Sequence, residues 1–146
     1  MTIGPEQVRA AIRQYAQAWA TNDKALLLSL FAEGAQWSDP VGTPPFTGHA
    51  GIGTFWDFAH QDAGRVLTPV VHRIVACGNE GLLDFTMQVR APALKQGLDL
   101  HVVDRFVLNA HGKIQTAQAY WDEASASAPP GMDFLAPNLD DAYEKS

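Results

Sequence analysis

Three oxygen-bearing side chains from different elements could carry chemistry: Asp104 and Tyr15 on apolar faces, and Asp39 before a proline-rich loop. Read with period two, Leu98 to Leu108 puts Leu98, Leu100, Val102, Phe106 and Leu108 on one face of a strand, and Asp104 is the one polar residue on that face. An ionised aspartate is almost never buried without a partner, and desolvation raises its pKa, so a side chain placed there persists as a neutral acid that donates a hydrogen bond. Tyr15 belongs to the apolar stripe Val8, Ile12, Tyr15, Trp19, whose spacings of four, three and four mark one helix face. Asp39 precedes Pro40, which biases it away from helical angles, at the head of the stiff loop Pro40-Val41-Gly42-Thr43-Pro44-Pro45. Each has an ordinary reading alone: Tyr15 as a core aromatic whose hydroxyl finds a carbonyl, Asp39 as a loop cap, Asp104 as an acid satisfied by a neighbouring donor. Their coincidence is what points to chemistry.

Pro5 suits the first turn of the helix that carries Tyr15, and Thr21-Asn22-Asp23 supplies a stop and a new cap before a short apolar helix, Lys24 to Phe31. Gln36 to Asp39 reads as a brief extended segment, and His49 to His60 as a third helix with Ile52, Phe55, Trp56 and Ala59 on one side. The period then changes. Val66 to Cys77, Leu82 to Arg90, Leu98 to Leu108 and Lys113 to Trp121 are rich in β-branched, aromatic or alternating residues, with turn signals at Gly78-Asn79, Gly97 and His111-Gly112. Helices first and strands later is the α+β order: three N-terminal helices packed on a curved antiparallel sheet, with room between the layers for an apolar pocket.

The 146 residues suffice for one domain, here 1–123, and at 47% hydrophobic and 18% charged they are globular rather than disordered. A net charge of -6 argues against nucleic acid or an anionic membrane as partner. Cys77 is the sole cysteine, which excludes an intrachain disulfide and a thiolate metal site, and it reads as a small buried apolar residue. The N-terminus lacks a basic region followed by an apolar run, and no stretch has the length to span a bilayer, so a soluble, cytoplasmic protein is expected. Residues 124–146 change character: an Ala/Ser/Pro run, then Met132, Phe134 and Leu135, then acidic Asp140, Asp141 and Glu144, read as a tail, with a lid or an arm on a partner subunit left open.

His111 to Trp121, together with Tyr15, Asp39-Pro-Val-Gly-Thr-Pro-Pro and Asp104-Arg-Phe, resembles the bacterial steroid Δ5-3-ketosteroid isomerases. The resemblance runs from the first helix through Trp121. It implies the cone-shaped fold shared with nuclear transport factors and polyketide cyclases, the SnoaL-like superfamily, a homodimer packed through its sheets, and no metal or organic cofactor. It makes Asp39 the general base, and Tyr15 with protonated Asp104 the donors to a steroid 3-oxygen. Moving a double bond from the β,γ to the α,β position requires an ionised acid to accept a proton and a neutral one to hold the dienolate oxygen, so the two acids must differ in environment. Trp121 resembles a pocket tryptophan of the family. Phe31, Phe55, Trp56, Phe85 and Phe106 add apolar surface for a flat polycyclic substrate. Where family members have tyrosines bonded to the catalytic one, this chain has Phe31, which cannot bond, and Trp56, which can only donate. Ser38 stands in place of the family's glutamate before the base.

Two other readings stay open. One is a dehydratase, cyclase or epoxide hydrolase on the same fold; such hydrolases need an Asp-Arg-Asp cluster, and alternation points Arg105 away from Asp104, while His72 and His101 read as structural or exposed. The other is a non-catalytic carrier of hydrophobic ligands.

Overall fold

Pro5 opens helix α1 (Pro5–Ala20), and the N–H of Gly4 before it is held by Gln7 Oε1 at 2.8 Å. The helix ends where both the N–H and the hydroxyl of Thr21 turn back to the Gln17 carbonyl. Asp23 then caps α2 (Lys24–Leu30), its Oδ1 accepting from the Leu26 N–H at 3.0 Å. The computed structural model describes residues 3–61 and 64–137, and within them Val8, Ile12, Tyr15 and Trp19 are all buried, as the four-three-four spacing requires.

Phe31 leaves the helix one residue earlier than expected and begins strand β1 (Phe31–Ser38), much longer than the four-residue segment read from the sequence. Glu33-Gly34 interrupts the apolar pattern locally, and the strand is instead sustained by pairing with a distant partner, since Phe31 faces Ile114 and Trp37 faces Ala117. β2 (Phe46–Thr47) folds back on β1, and α3 (Gly48–His60) follows. β3 (Val66–Cys77), β4 (Glu80–Ala91), β5 (Gln96–Leu108) and β6 (Ile114–Tyr120) form the expected antiparallel meander, turning at Gly78, which has φ +57°, and at Gly112, which has φ +77°. Cys77 is exposed rather than buried, because it ends β3 at the Gly78 turn.

Strand order is β2-β1-β6-β5-β4-β3, so the sheet is mainly antiparallel, but β1 runs parallel to β6 because the chain reaches β6 only after α3 and three strands. Three helices cover one face of this open, curved sheet, and the core fills the space between. Two short strands, β7 (Ala126–Ser127) and β8 (Asp133–Phe134), pair with β5 at Asp99-Leu100 and Gln96-Gly97. The first part of the expected tail is thus laid along β5; its acidic end, with Asp140, Asp141 and Glu144, lies outside the described residues.

The helix layer comes close to the sheet at Gly81 on β4. A Cβ there would stand 2.5 Å from Ile12 Cδ1 and 2.6 Å from Val8 Cγ1, both on fully buried side chains of α1. Gly81→Val is therefore expected to force α1 outward and lower the unfolding free energy by about 1–3 kcal/mol, read by urea denaturation; an unchanged midpoint would contradict this packing.

Candidate active site

The alternation of β5 holds throughout: Leu98, Leu100, Val102, Asp104 and Phe106 are buried, while Asp99, His101, Val103 and Arg105 are not. Asp104 is only 3% exposed, and its cross-strand neighbours are Leu83 on β4 and Ala119 on β6, both buried. Among the described residues no cation lies within ion-pair distance of it. Burial pushes its carboxyl well above the usual carboxylate range, the nearby charge of Asp39 adds to the shift, and the Tyr15 hydroxyl, donating to it, opposes.

Tyr15 enters from α1 and is 2% exposed, its ring fixed edge-on by Phe106 at 4.8 Å, Trp37 at 5.9 Å and Trp19 at 6.4 Å between centroids. Burial foremost, then the charges of Asp104 and Asp39, push the phenol well above its ordinary value, so it stays a protonated donor. The buried Trp19 indole N–H pulls the other way, although it falls short of full hydrogen-bond geometry with any acceptor.

Asp39 follows β1, whose parallel register with β6 (Ser38 opposite Gln118) brings it to the same sheet end as Trp121. The residue is half-buried, but its carboxyl is the enclosed part. Desolvation raises it to about 6, against the pull of a 2.6 Å hydrogen bond donated by Trp121 Nε1 to Oδ1. At pH 7 Asp39 is thus mainly ionised, while burial favours the protonated form of Asp104, so the two acids stand in different environments.

All three line one cavity between the helices and β3 to β5, with an empty volume of about 740 Å³ measured out to its mouth. Of the aromatic residues expected around a ligand, Trp121, Phe55 and Phe85 line it. Phe31, Trp56 and Phe106 do not; they stand one layer back. Phe31 stacks on Trp37 at 5.7 Å, Phe106 supports Tyr15, and Trp56 lies 4.3 Å from Trp19 and 4.4 Å from the buried His60. In their place the wall is made by Trp19 and Trp37, by Leu98, Leu100 and Val102 of β5, and by Leu67, Met87 and Val89 of β3 and β4. The β5 residues share the face of Asp104 and were visible in the same alternation. Arg65 and the segment Leu135 to Pro137 also reach the cavity; Arg65 stands two residues before the lining Leu67, so the same period extended backwards finds it.

Arg105 faces outward and bonds Gln118 Oε1 at 2.9 Å and Glu80 Oε1 at 2.6 Å. His72 and His101 are exposed on the same outer side, bonded to Thr86 and Asp84. Among the described residues no group of three or more His, Cys, Asp or Glu gathers as metal ligands, and no helix is long and apolar enough to cross a membrane.

Comparison with known proteins agrees with this architecture. A curated relative, the steroid Delta-isomerase of Nocardioides simplex, is 27% identical over 115 residues, covering 79% of this chain and 89% of that one. Among solved structures, RV0760c from Mycobacterium tuberculosis superposes with a TM-score of 0.75 at 17% identity, over 88% of this chain and 100% of the other. The epoxide hydrolase/cyclase-like enzyme SalBIII, of pyran ring formation in the polyether salinomycin, also gives 0.75, at 18% identity over 85% and 97%. The SnoaL-like domain model matches residues 12–117, the span that holds Tyr15, Asp39 and Asp104, and the chain belongs to that family.

Proposed function

We propose that the protein is a cofactor-independent steroid delta-isomerase, acting on a 3-oxosteroid or a closely similar polycyclic enone. The observation that carries this reading is the meeting of Tyr15 and a neutral Asp104 in an apolar cavity whose second carboxyl, on Asp39, is ionised and anchored by Trp121. The ketone oxygen of the substrate takes its place between the Tyr15 hydroxyl and the Asp104 carboxyl. Asp39 removes a proton from the carbon between carbonyl and double bond, the electrons pass into a dienolate whose charge gathers on that oxygen, and the same carboxyl returns the proton to the γ-carbon. Both donors are in place before charge develops, inside walls that exclude water. The relative named a steroid Delta-isomerase supports this assignment, and Arg105, the arginine next to Asp104 in the chain, faces outward to Gln118 and Glu80 rather than into an Asp-Arg-Asp cluster. The homodimer belongs to the same reading: Val70, Leu82 and Tyr120 are exposed on the outward face of the sheet.

The direct assay follows the conjugated-enone absorbance with a 5-ene-3-ketosteroid. Asp39→Asn should lower kcat by about 10²–10⁴-fold, and Tyr15→Phe or Asp104→Leu by about 10²–10³-fold with the fold intact by circular dichroism. Absence of turnover, or turnover indifferent to Asp39→Asn, sinks the assignment. The acid limb of kcat/KM should rise with pH and reach half its plateau near 6, where Asp39 ionises. Because the Trp121 hydrogen bond favours the charged form, Trp121→Phe should move that limb to higher pH.

The same carboxyls should weigh on stability in a sign that marks them as functional. An aspartate whose folded pKa is raised keeps a proton that the unfolded chain releases, so the cost is absent below the ordinary value and grows as pH rises. For Asp39 the window runs from 3.8 to about 6, which corresponds to roughly 3 kcal/mol once both limits are passed. Asp39→Asn should therefore gain stability against urea at pH 8 by up to about that amount and little at pH 3.5; loss of stability at pH 8 would contradict the burial argument.

A further inference from the structure

Among the described residues three acidic or basic side chains line the cavity: Asp39, Asp104 and Arg65. The two carboxyls are accounted for by the proposed reaction, whereas the guanidinium is not. Arg65 is half-buried at the start of β3, and burial lowers its affinity for its proton, as happens when a cation loses water without gaining a carboxylate. Other half-buried arginines on the sheet behave differently. Arg90 pairs with Asp99 at 2.8 Å and Arg105 with Glu80 at 2.6 Å, but among the described residues no carboxylate lies within ion-pair distance of Arg65 and its side chain makes no hydrogen bond.

Its position is set by the sheet register. Val66 faces Arg90, which faces Gly97, so Arg65 lies beyond the Gln96-Gly97 end of β5; Asp104 lies at the level of Leu83 and Ile74. The cavity floor between these ends is Leu98, Leu100 and Val102. From Leu98 to Asp104 is six residues, roughly 20 Å of strand at about 3.3 Å per residue. That exceeds the length of a fused four-ring nucleus. Leu135, whose N–H donates to the Gly97 carbonyl at 2.9 Å, flanks the same end as Arg65 and narrows it with apolar surface.

We propose that Arg65 forms an anion subsite at the end of the cavity opposite Tyr15 and Asp104, and that the ligand is a polycyclic ketone whose far end carries a short acyclic chain ending in a carboxylate. The guanidinium fork matches a carboxylate through two parallel hydrogen bonds, and in an apolar wall that pairing replaces the hydration the cation has lost. Such a ligand satisfies both ends of the cavity at once: the ketone oxygen takes the two neutral donors and the carboxylate takes the cation. The reversed orientation would set the carboxylate against Asp104 and Asp39, so Arg65 also fixes the direction of entry. This deepens the proposed function and rests on the cavity being its ligand site, not on isomerisation taking place there.

The test measures binding, with product-like ligands that have no β,γ double bond left to move. A 3-oxo-4-ene steroid with a five-carbon side-chain acid and its methyl ester are titrated into the full chain at pH 8, read by quenching of the cavity tryptophans Trp19, Trp37 and Trp121. The acid should bind at least about tenfold more tightly than the ester, a preference that shrinks as salt is raised. Arg65→Gln should weaken the acid to the level of the ester and leave the ester unchanged, while Arg65→Lys keeps part of the preference. Equal binding of acid and ester to the unaltered protein overturns the proposal. So does an equal loss for both in Arg65→Gln, which marks a packing role, and so does binding of neither compound. A failed turnover assay with the simple 5-ene-3-ketosteroid leaves this comparison standing, so the two readings fail separately.

Discussion

Everything in the site depends on keeping a carboxyl out of water with, among the described residues, no cation within ion-pair distance to meet it. Asp104 is enclosed by Leu83, Ala119, Val102 and Phe106, and the constraint that encloses it is the parity of β5. A slip of one residue would turn Arg105 inward and Asp104 out, placing a cation in the cavity and removing the neutral donor. That parity is held from both sides, because β4 and β6 pair with β5 through Asp104 and Phe106, and Arg105 is tied outside by Gln118 and Glu80. The ion pair on the outer face does little as a surface salt bridge but helps to fix which way the strand faces.

Two layers of aromatic rings translate that constraint into position. Tyr15 is held between Phe106, Trp37 and Trp19, and these rings are in turn backed by Phe31, Trp56 and His60. His60 is itself anchored, its Nδ1 bonded to the Trp56 carbonyl at 2.8 Å and its ring stacked on Trp19. The phenol therefore sits on a helix and against packed rings, while Asp39 stands on the loop after β1 with the Trp121 indole donating to its Oδ1. In the proposed reaction the donors stay still and the base must reach two carbons, and a base carried by a loop rather than by a packed element suits that division.

What could be read without the structure is what is written in strict periodicity. The alternation through Asp104 and the stripe of α1 emerge from the residue pattern because buried faces impose it directly, whereas the bounds of β3, a mostly exposed or half-buried strand, follow from its β-branched residues and the Gly78-Asn79 turn. The length of β1 does not, since Glu33-Gly34 carries no strand signal and the pairing with β6 comes from residues some eighty positions away. Nor does the sorting of aromatics: Phe31, Trp56 and Phe106 share the faces of lining residues, and hydrophobicity alone does not separate a ring that faces the cavity from one that supports its wall. Arg65 was hidden for another reason. It follows a short polar turn where a charge normally means solvent, and only its place two residues before Leu67 shows that it faces in.

The substitutions at Phe31 and Trp56 sharpen how the donor end works. Phe31 has no hydroxyl to offer Tyr15, and Trp56 lies behind Trp19 rather than beside the phenol, so no relay of hydroxyl groups reaches the Tyr15 oxygen from those two positions. The influences on that oxygen are burial, two carboxyls that raise its proton affinity, and the Trp19 indole that lowers it. A phenol in that setting is a weak acid, and its contribution as a donor comes from immobility and from the absence of competing water rather than from acidity. In the proposed reaction Asp104 is the second donor, and the apolar face of β5 that makes it look misplaced is what favours its protonated, donating form.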